Sequence, residues 1–289
     1  MRIGIHTSRA ESLERAALKA AELGANTFQI FSASPRMWRA SPPTREEIRP
    51  MKRARARFDL FPLVIHVNYL VNLASSDAGT REKSIAAFRG ELERARAIGA
   101  EYLVVHPGSY RGQSLEQGIA AFALGLAAAV KGIAAGGVTI LLENTVGCGS
   151  QIGCRFEELR AIRELAGKLI RAPVGYCLDT CHLFSAGFDI ASEAGLRETV
   201  RQADRILGID NVKVIHANDS KKLLGSHLDR HQHIGAGHIG RDGFRRILAH
   251  PKLRSKPFIL ETPVEQEGDD QRNIDTLKSL CRKSLTTTT

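Results

Sequence analysis

Asp229 and His231 stand two residues apart on a glycine-rich stretch that follows an apolar segment ending at His216. In an extended chain, residues i and i+2 face the same way, so this carboxylate and this imidazole can reach one object together. An imidazole and a carboxylate on a converging loop suit a transition metal, with zinc as the first choice. The sequence therefore predicts a metal site whose other ligands come from elsewhere in the chain.

The elements that position those ligands are short β-branched segments alternating with helical patterns. The predicted strands are 2–6, 27–31, 63–67, 102–106, 139–143, 174–179, 212–216 and 258–261. The predicted helices are 12–23, 44–58, 81–98, 114–135, 156–170, 192–207, 242–248 and 271–281. This strict alternation favours an α/β fold, a single-domain (β/α)8 TIM barrel, over a doubly wound open sheet. We expect one domain over residues 1–285 and a frayed tail at 286–289.

Polar residues end six consecutive predicted strands, and three more candidates lie on the adjoining loops. The nine candidate ligands are His66, His106, Glu143, Asp179, His182, His216, Asp229, His231 and Glu261. A single strand-end histidine is more often structural, but buried Asp and Glu are rare unless they are paired or metal-bound. In TIM barrels the active site lies at the rim formed by the C-terminal ends of the strands, where these residues are predicted to be. Nine ligands exceed the needs of one tetrahedral zinc and fit two or three ions with a bridging carboxylate.

Charge and composition are compatible with a nucleic-acid partner. Lys and Arg number 41 against 31 Asp and Glu, a net charge of +10, which favours a polyanionic partner but is a weak signal alone. The densest basic segment, 45–57, spaces arginines four apart and reads as a solvated helix face. The sequence shows no signal peptide and no membrane-spanning stretch, so we expect a cytoplasmic protein. Five cysteines form no CxxC pair and read as ordinary thiols.

Longer motifs surround the candidate ligands. They are HVNYLVNLAS at 66–75, HPGS at 106–109, LENT at 142–145, CLDTCH at 177–182, NDSK at 218–221, DRH at 229–231 and LETP at 260–263. Together they closely resemble the endonuclease IV family, the zinc-dependent apurinic/apyrimidinic endonucleases of base-excision repair. The resemblance spans almost the whole chain.

The resemblance implies three zinc ions, with manganese a possible substitute at one position. His66 and His106 would hold the first, and Glu143 would bridge it to a second that also takes Asp179, His216 and Glu261. His182, Asp229 and His231 would hold the third. Two close metals can lower the pKa of a shared water towards about 7. The implied reaction hydrolyses the phosphodiester 5′ to an abasic site and leaves a 3′-hydroxyl and a 5′-deoxyribose phosphate. Glu261 and Glu143 would be catalytic, and the enzyme would also clean blocked 3′ ends.

Double-stranded DNA is the implied partner, acted on by a monomer. Segment 34–39, with Arg36 and Trp38, resembles the family's segment that enters the duplex, and Tyr69 matches a residue that occupies the stack at the lesion. For Trp38, packing within its own loop is an equal alternative. Lys221, Lys222, Arg230 and the backbone amides of the glycine-rich turns are candidate phosphate contacts, which predicts salt-dependent binding.

Two features complicate the resemblance to the family: one departs from its motif, and one offers a second choice of ligand. Val67-Asn68 stands where relatives often have a small residue and proline, which affects how Tyr69 is presented. His233 lies beside His231 and offers a second register for the ligand, although Asp229 and His231 fit the motif better. We interpret His227, His233, His238 and His250 as structural or surface residues.

Two other classes of function compete with a nuclease. A divalent-metal sugar isomerase or epimerase shares the barrel and the rim of His, Asp and Glu, but its metal sites hold fewer ligands. A basic DNA-binding protein without catalysis would require nine structural polar residues, which the desolvation cost of buried charges opposes.

Overall fold

Eight parallel strands close into a barrel in the computed structural model, which describes residues 1–134 and 137–283. The strands are β1 Ile3–His6, β2 Thr27–Phe31, β3 Leu63–His66, β4 Tyr102–Val105, β5 Thr139–Glu143, β6 Val174–Asp179, β7 Val212–His216, β8 Asp219–Ser220, β9 His231–Gln232 and β10 Phe258–Leu260. The short strands β8 and β9 pair as a separate antiparallel ribbon, and the other eight form the barrel. The predicted fold class is confirmed.

Helices follow the barrel strands and cover the outside of the barrel. They are α1 Leu13–Glu22, α2 Arg45–Arg57, α3 Ala78–Ile98, α4 Leu115–Val130, α5 Phe156–Leu169, α6 Thr180–Ser185, α7 Glu193–Leu207, α8 Gly240–Ala249 and α9 Asp269–Lys283. Helix α4 ends earlier than predicted, and Ala135 and the tail at 286–289 lie outside the described residues. Within the described part of the chain, no helix is both long and apolar enough to cross a membrane.

Short polar residues cap most of these helices where the sequence places them. Ser12 accepts a hydrogen bond from the backbone of Arg15, two residues inside α1. Thr44 and Ser114 each form a capping box with a glutamate or glutamine three residues later. Each cap satisfies backbone donors that the first helical turn leaves free, which explains why the predicted starts of α1, α2 and α4 lie within one residue of the observed ones.

The barrel interior holds its own apolar layer, separate from the larger core between the strands and the helices. One residue from each of six strands forms this layer: Val64, Val104, Leu141, Cys177, Val214 and Ile259. Side chains alternate between the two faces of a strand, so the next inward residue on each strand lies two positions further on. Those next residues are His66, His106, Glu143, Asp179, His216 and Glu261. Strand alternation therefore brings six of the nine candidate ligands to one end of the barrel interior.

A β-bulge in β7 keeps its inward-facing residues level with those of the neighbouring strand β6. Tyr176 on β6 pairs with Val212, but the next residue, Cys177, pairs with Val214, so Lys213 is the extra residue. Val212 packs in the outer core, whereas Val214 belongs to the inner layer. The apolar spacing of Val212, Val214 and Ile215 does not by itself reveal this extra residue. The extra residue turns His216 inward, where it pairs with Asp179.

Asp219 organises the glycine-rich loop that follows the ribbon. Its side chain is fully buried and accepts hydrogen bonds from five backbone N–H groups. The donors are Ser220, Gly235, Gly237, Ile239 and Gly240, at 2.8–3.4 Å. A Cβ on Gly237 would lie 2.4 Å from the backbone oxygen of Ser220. The prediction that the glycine-turn amides contact phosphate is wrong for these amides, because Asp219 already occupies them.

Replacing Asp219 with asparagine tests this arrangement. The substitution keeps the shape but turns one acceptor into a donor that faces backbone N–H groups, so we expect unfolding to become easier by about 3 kcal/mol. Chemical denaturation followed by circular dichroism measures this change. Asp210→Asn, at an exposed position, is the matched control and should change stability by no more than about 0.5 kcal/mol. Equal stability of the two variants would contradict the role given to Asp219.

Candidate metal centre

All nine predicted ligands meet at the C-terminal rim of the barrel. Their ligand atoms form three groups in which all such atoms lie within 4.8 Å of one another. The groups are His66, His106 and Glu143; Glu143, Asp179, His216 and Glu261; and His182, Asp229 and His231. Glu143 belongs to the first two groups. The structure thus brings together the three sets that the family resemblance implies.

Glu143 lies at the centre of the first two groups and is fully buried. Its Oε2 is 3.0 Å from Nε2 of His66 and 3.5 Å from Nε2 of His106. Its Oε1 is 2.8 Å from Nδ1 of His216, and that same nitrogen is 3.2 Å from Oε2 of Glu261. One carboxylate therefore faces ligands on both sides, as a bridging ligand does.

The third group lies beside the other two on elements outside the barrel. Oδ2 of Asp229 is 3.3 Å from Nε2 of His182, and its Oδ1 is 3.3 Å from Nε2 of His231. His182 lies on α6, where a loop was expected, and Asp179 caps that helix by accepting from the His182 backbone at 2.8 Å. The short helix therefore fixes the distance between a ligand of the second group and one of the third.

Backbone carbonyl groups orient three of the imidazoles. Nδ1 of His66 lies 2.7 Å from the oxygen of Val67, and Nδ1 of His182 lies 2.9 Å from that of Asn144. Nδ1 of His231 lies 2.9 Å from the oxygen of Glu261. A proton on Nδ1 satisfies each carbonyl and leaves Nε2 free to bind a metal, as is usual in protein metal sites.

Nε2 of His231 shows that this donor set fits a cation. The atom is buried and has no hydrogen-bond partner among the described residues. Carboxylate oxygens of Asp229 and Asp179 lie 3.3 and 3.8 Å from it. Burying a polar atom without a hydrogen-bond partner costs free energy. A metal ion held by this nitrogen and by the neighbouring carboxylate would satisfy both groups.

Two polar residues of the same inward layer escaped sequence prediction. Gln29 on β2 is fully buried, and its side chain touches both His216, at 2.9 Å, and Glu261. His6 at the end of β1 lies 3.0 Å from the Gln29 amide nitrogen. The sequence does contain a signal for them, because each is a polar residue on an otherwise apolar strand, and both side chains face the barrel interior. By accepting from Nε2 of His216, Gln29 leaves Nδ1 of that ring for the metal.

Two asparagines hold the carboxylates of the second group from behind. The Asn218 side chain donates to Oδ2 of Asp179 at 2.6 Å and accepts from the Glu261 backbone at 2.8 Å. The Asn144 side chain accepts from the Asp179 backbone at 2.7 Å. These contacts orient Asp179 and Glu261 toward the histidines. Asn144 directly follows the ligand Glu143, and Asn218 lies two residues after the ligand His216.

The electrostatics of the rim depend on competition between burial and close charges. Burial opposes ionisation of Glu143, but His216 and His106 outweigh it and hold the pKa of Glu143 well below its usual range. Burial also lowers the pKa of His182, but Asp179 and Asp229 outweigh it and raise this pKa to about 10. For His231 the pKa rises to about 9 despite burial, mainly through Asp229 and Asp179. Without metal, the third group therefore holds protonated histidines at neutral pH.

Two buried cysteines and one extra histidine also lie near the rim. Cys177 approaches Glu143 and His216, and Cys181 approaches Asp179 and His231. Burial raises the pKa of both thiols to about 12, so they stay neutral, in keeping with the interpretation as ordinary thiols. His233 contacts Asn273 and belongs to none of the ligand groups among the described residues, which favours His231 over the alternative register.

The predicted DNA-contacting residues surround the rim. Tyr69 is 70% exposed and lies edge-on to Phe31, at 5.3 Å between ring centroids. Arg36 is exposed, whereas Trp38 is half-buried and packs against the main core, which favours the packing alternative. Lys221 and Arg230 are exposed neighbours across the start of the ribbon, joined by a 2.9 Å backbone hydrogen bond. A cavity of about 310 Å³ between Tyr69 and the three groups leads to the ligands.

Known proteins share both this sequence and this architecture. The profile of the family described as a xylose isomerase-like TIM barrel matches residues 17–282. A protein named probable endonuclease 4 from Solibacter usitatus is 64% identical over 285 residues, which cover 99% of this chain and 98% of that protein. The crystal structure of endonuclease IV from Thermus thermophilus is 36% identical, with a TM-score of 0.86, covering 98% of this chain and all of that one.

Sugar epimerases share the barrel only at a distance. The crystal structure of a D-tagatose 3-epimerase-like protein superposes with a TM-score of 0.73 at 21% identity, which shows a common fold and no more. The relatives that match along the full length at higher identity carry the endonuclease name. On these grounds the chain belongs to the endonuclease IV family.

Proposed function

We propose that this protein is a DNA-repair endonuclease that hydrolyses the phosphodiester bond 5′ to an abasic site. The products are a 3′-hydroxyl and a 5′-deoxyribose phosphate, and blocked 3′ ends are further substrates. The carrying observation is the set of three His and carboxylate groups at one rim, the first two sharing Glu143. A phosphodiester needs charge stabilisation on several oxygens at once, which adjacent cation sites can provide.

Zinc is the proposed metal, held as three ions by the three groups, with manganese an acceptable substitute at one position. Mixed imidazole and carboxylate ligands suit zinc. When bound, such ions lower the pKa of water and neutralise charge that develops on the phosphate. Glu143 faces two groups and would hold two ions at a fixed separation.

Glu261 is the residue proposed to act on the attacking water. Its side chain is partly exposed to the cavity, and Gln29 and Asn218 hold it in place. Burial opposes its ionisation, but His216 outweighs it and lowers the pKa to about 2, so Glu261 is anionic at neutral pH. An anionic carboxylate orients the attacking water by accepting a hydrogen bond from it as the water attacks phosphorus and the 3′ oxygen departs. Because so low a pKa makes Glu261 a weak base, orientation of the water is its main role.

The rim residues around the cavity supply the proposed contacts to double-stranded DNA. Tyr69 and Arg36 would fill the gap left by an extruded abasic nucleotide, which offsets the unstacking cost of a few kcal/mol. Trp38 would support the loop that carries Arg36. Lys221 and Arg230 would contact phosphates. Such a protein acts on the nucleoid in the cytoplasm, and one chain carries all the proposed ligands, so a monomer suffices.

A divalent-metal sugar isomerase or epimerase is the second candidate, because it shares the barrel. Against it stands the group formed by His182, Asp229 and His231, which adds ligands beyond those that a single rim site requires. The exposed Tyr69 and Arg36 also suit a duplex better than a small sugar.

A duplex with one abasic site distinguishes these functions. We expect strand scission on the 5′ side of the lesion by a preparation that contains about three zinc ions per chain. Strand scission and metal content are measured on the same sample, with a candidate ketose tested in parallel for epimerisation. An undamaged duplex is the control. No nicking by a fully loaded preparation would refute the proposed function.

Changing Glu261 to glutamine tests the role of this carboxylate. Glutamine keeps the size and the oxygen that faces the cavity but lacks the negative charge that orients the attacking water, so kcat should fall by at least about a hundredfold. Binding of the abasic duplex, followed by fluorescence anisotropy, should change by less than about threefold. Metal content is measured for both proteins. Full activity in this variant would remove Glu261 from the mechanism.

Loading the metal-free protein should release protons, among them those of His182 and His231. Their pKa values are raised to about 10 and about 9, so both are protonated at pH 8, whereas metal binding requires neutral imidazole. Metal affinity should therefore rise with pH up to about 10, and the metal-free protein should lose stability as the pH rises from about 6.5 to about 10. Zinc titration calorimetry in buffers of different ionisation enthalpy measures the release.

The control for proton release is Asp229→Asn, which removes the carboxylate shared by His182 and His231. Its histidines should be less protonated, and fewer protons should be released. Binding heats that do not depend on the buffer in the unsubstituted protein would contradict the predicted protonation.

A further inference from the structure

The two loops proposed to engage DNA are joined by a buried polar network on the outer side of the barrel. The network consists of Ser32, Asn68, Glu91 and Arg94, each less than a tenth exposed. Ser32 begins the loop that carries Arg36 and Trp38, and Asn68 precedes Tyr69. Glu91 and Arg94 both lie on α3. Three separate segments thus meet at four side chains.

Glu91 and Arg94 form the centre of the network. Nη2 of Arg94 lies 3.1 Å from Oε1 of Glu91, and Nε of Arg94 donates to the Ser32 hydroxyl at 2.7 Å. That hydroxyl donates in turn to Oε2 of Glu91. The side-chain amide of Asn68 donates to Oε1 of Glu91 at 3.3 Å. Both carboxylate oxygens are therefore shared between the helix and the loops.

The same side chains also bind the backbones of the two loops directly. Arg94 donates to the carbonyl of Ala40 at 3.4 Å, and the Asn68 amide donates to the carbonyl of Met37 at 3.4 Å. The Asn68 oxygen accepts from the backbone of Leu70 at 3.0 Å, which closes a turn around Tyr69. Asn68 therefore contacts both the segment next to Trp38 and the segment that bears Tyr69.

A buried ion pair is a poor choice if stability is its only purpose. Removing two charges from water costs more than their attraction often returns, and apolar replacements are frequently as stable. A fully connected polar network, by contrast, fixes the relative position of its parts. We propose that Ser32, Asn68, Glu91 and Arg94 act as positioning residues that set the distance between the Arg36–Trp38 loop and Tyr69. This inference rests on the proposed function.

Two small substitutions test the proposal without disturbing α3. Ser32→Ala removes the bridging hydroxyl, and Asn68→Ala removes the link between the loops. The matched control is Glu93→Gln, which breaks an exposed pair with Arg89, at 3.1 Å, on the same helix. The readouts are kcat and KM on an abasic duplex, metal content, and acrylamide quenching of Trp38, the only tryptophan of the chain.

We expect KM to rise about five- to thirtyfold in each variant, because polar groups lose a buried partner and the loops separate. The kcat should stay within about twofold and the metal content should not change, because no proposed ligand is touched. Trp38 should become easier to quench. The double variant should be little worse than either single one, because both act through the same network. Glu93→Gln should match the unsubstituted protein.

A further variant, Asn68→Asp, sets a second carboxylate against Glu91 and should raise KM more than Asn68→Ala does. Unchanged quenching and KM in the Ser32 and Asn68 variants would overturn the proposal, as would a loss confined to kcat. If the unsubstituted protein does not cut an abasic duplex, the proposed function fails on that result alone. Trp38 quenching then still decides whether the network holds the loop.

Discussion

The alternation of side chains along barrel strands is the constraint on which the site depends. An apolar layer inside the barrel contains one residue from each of six strands, and six of the nine ligands occupy the next inward position on those strands. A shift of one residue on any strand would send its ligand into the outer core. The bulge at Lys213 corrects such a shift in β7, so a local irregularity serves the geometry of the whole rim.

Concentrating this many ionisable groups in one buried place requires support from neutral residues. Gln29, Asn144 and Asn218 are amides, which can donate and accept at once without adding charge. Each touches a carboxylate, an imidazole or the backbone that carries one. These hydrogen bonds determine which atom of each ligand remains free to bind a metal. Charged residues in the same places would change the net charge of the histidines and carboxylates at the rim.

Much of this arrangement is predictable from sequence because it follows local rules. The strand-end ligands follow apolar runs, and cap residues mark the helix starts, so the barrel and most of the candidate ligands come from short-range patterns. The division of the ligands into three groups came from the resemblance to the endonuclease IV family. His6 and Gln29 escape prediction because the direction in which a polar side chain faces on an apolar strand depends on the pairing of that strand with its neighbours. The bulge at Lys213 and the position of His182 on a helix depend on neighbouring strands and loops that the sequence does not display.

Sequence patterns also fail to predict a binding site where a side chain of the protein itself accepts the backbone hydrogen bonds that a ligand would otherwise accept. The glycine-rich turn reads as an anion-binding segment, but the buried Asp219 already supplies the anion. Because an internal charge orders this loop, its backbone loses no conformational entropy when a duplex arrives. The free energy of binding is therefore not reduced by ordering that loop, and its shape does not depend on the ionic strength that would govern the proposed phosphate contacts elsewhere on the rim.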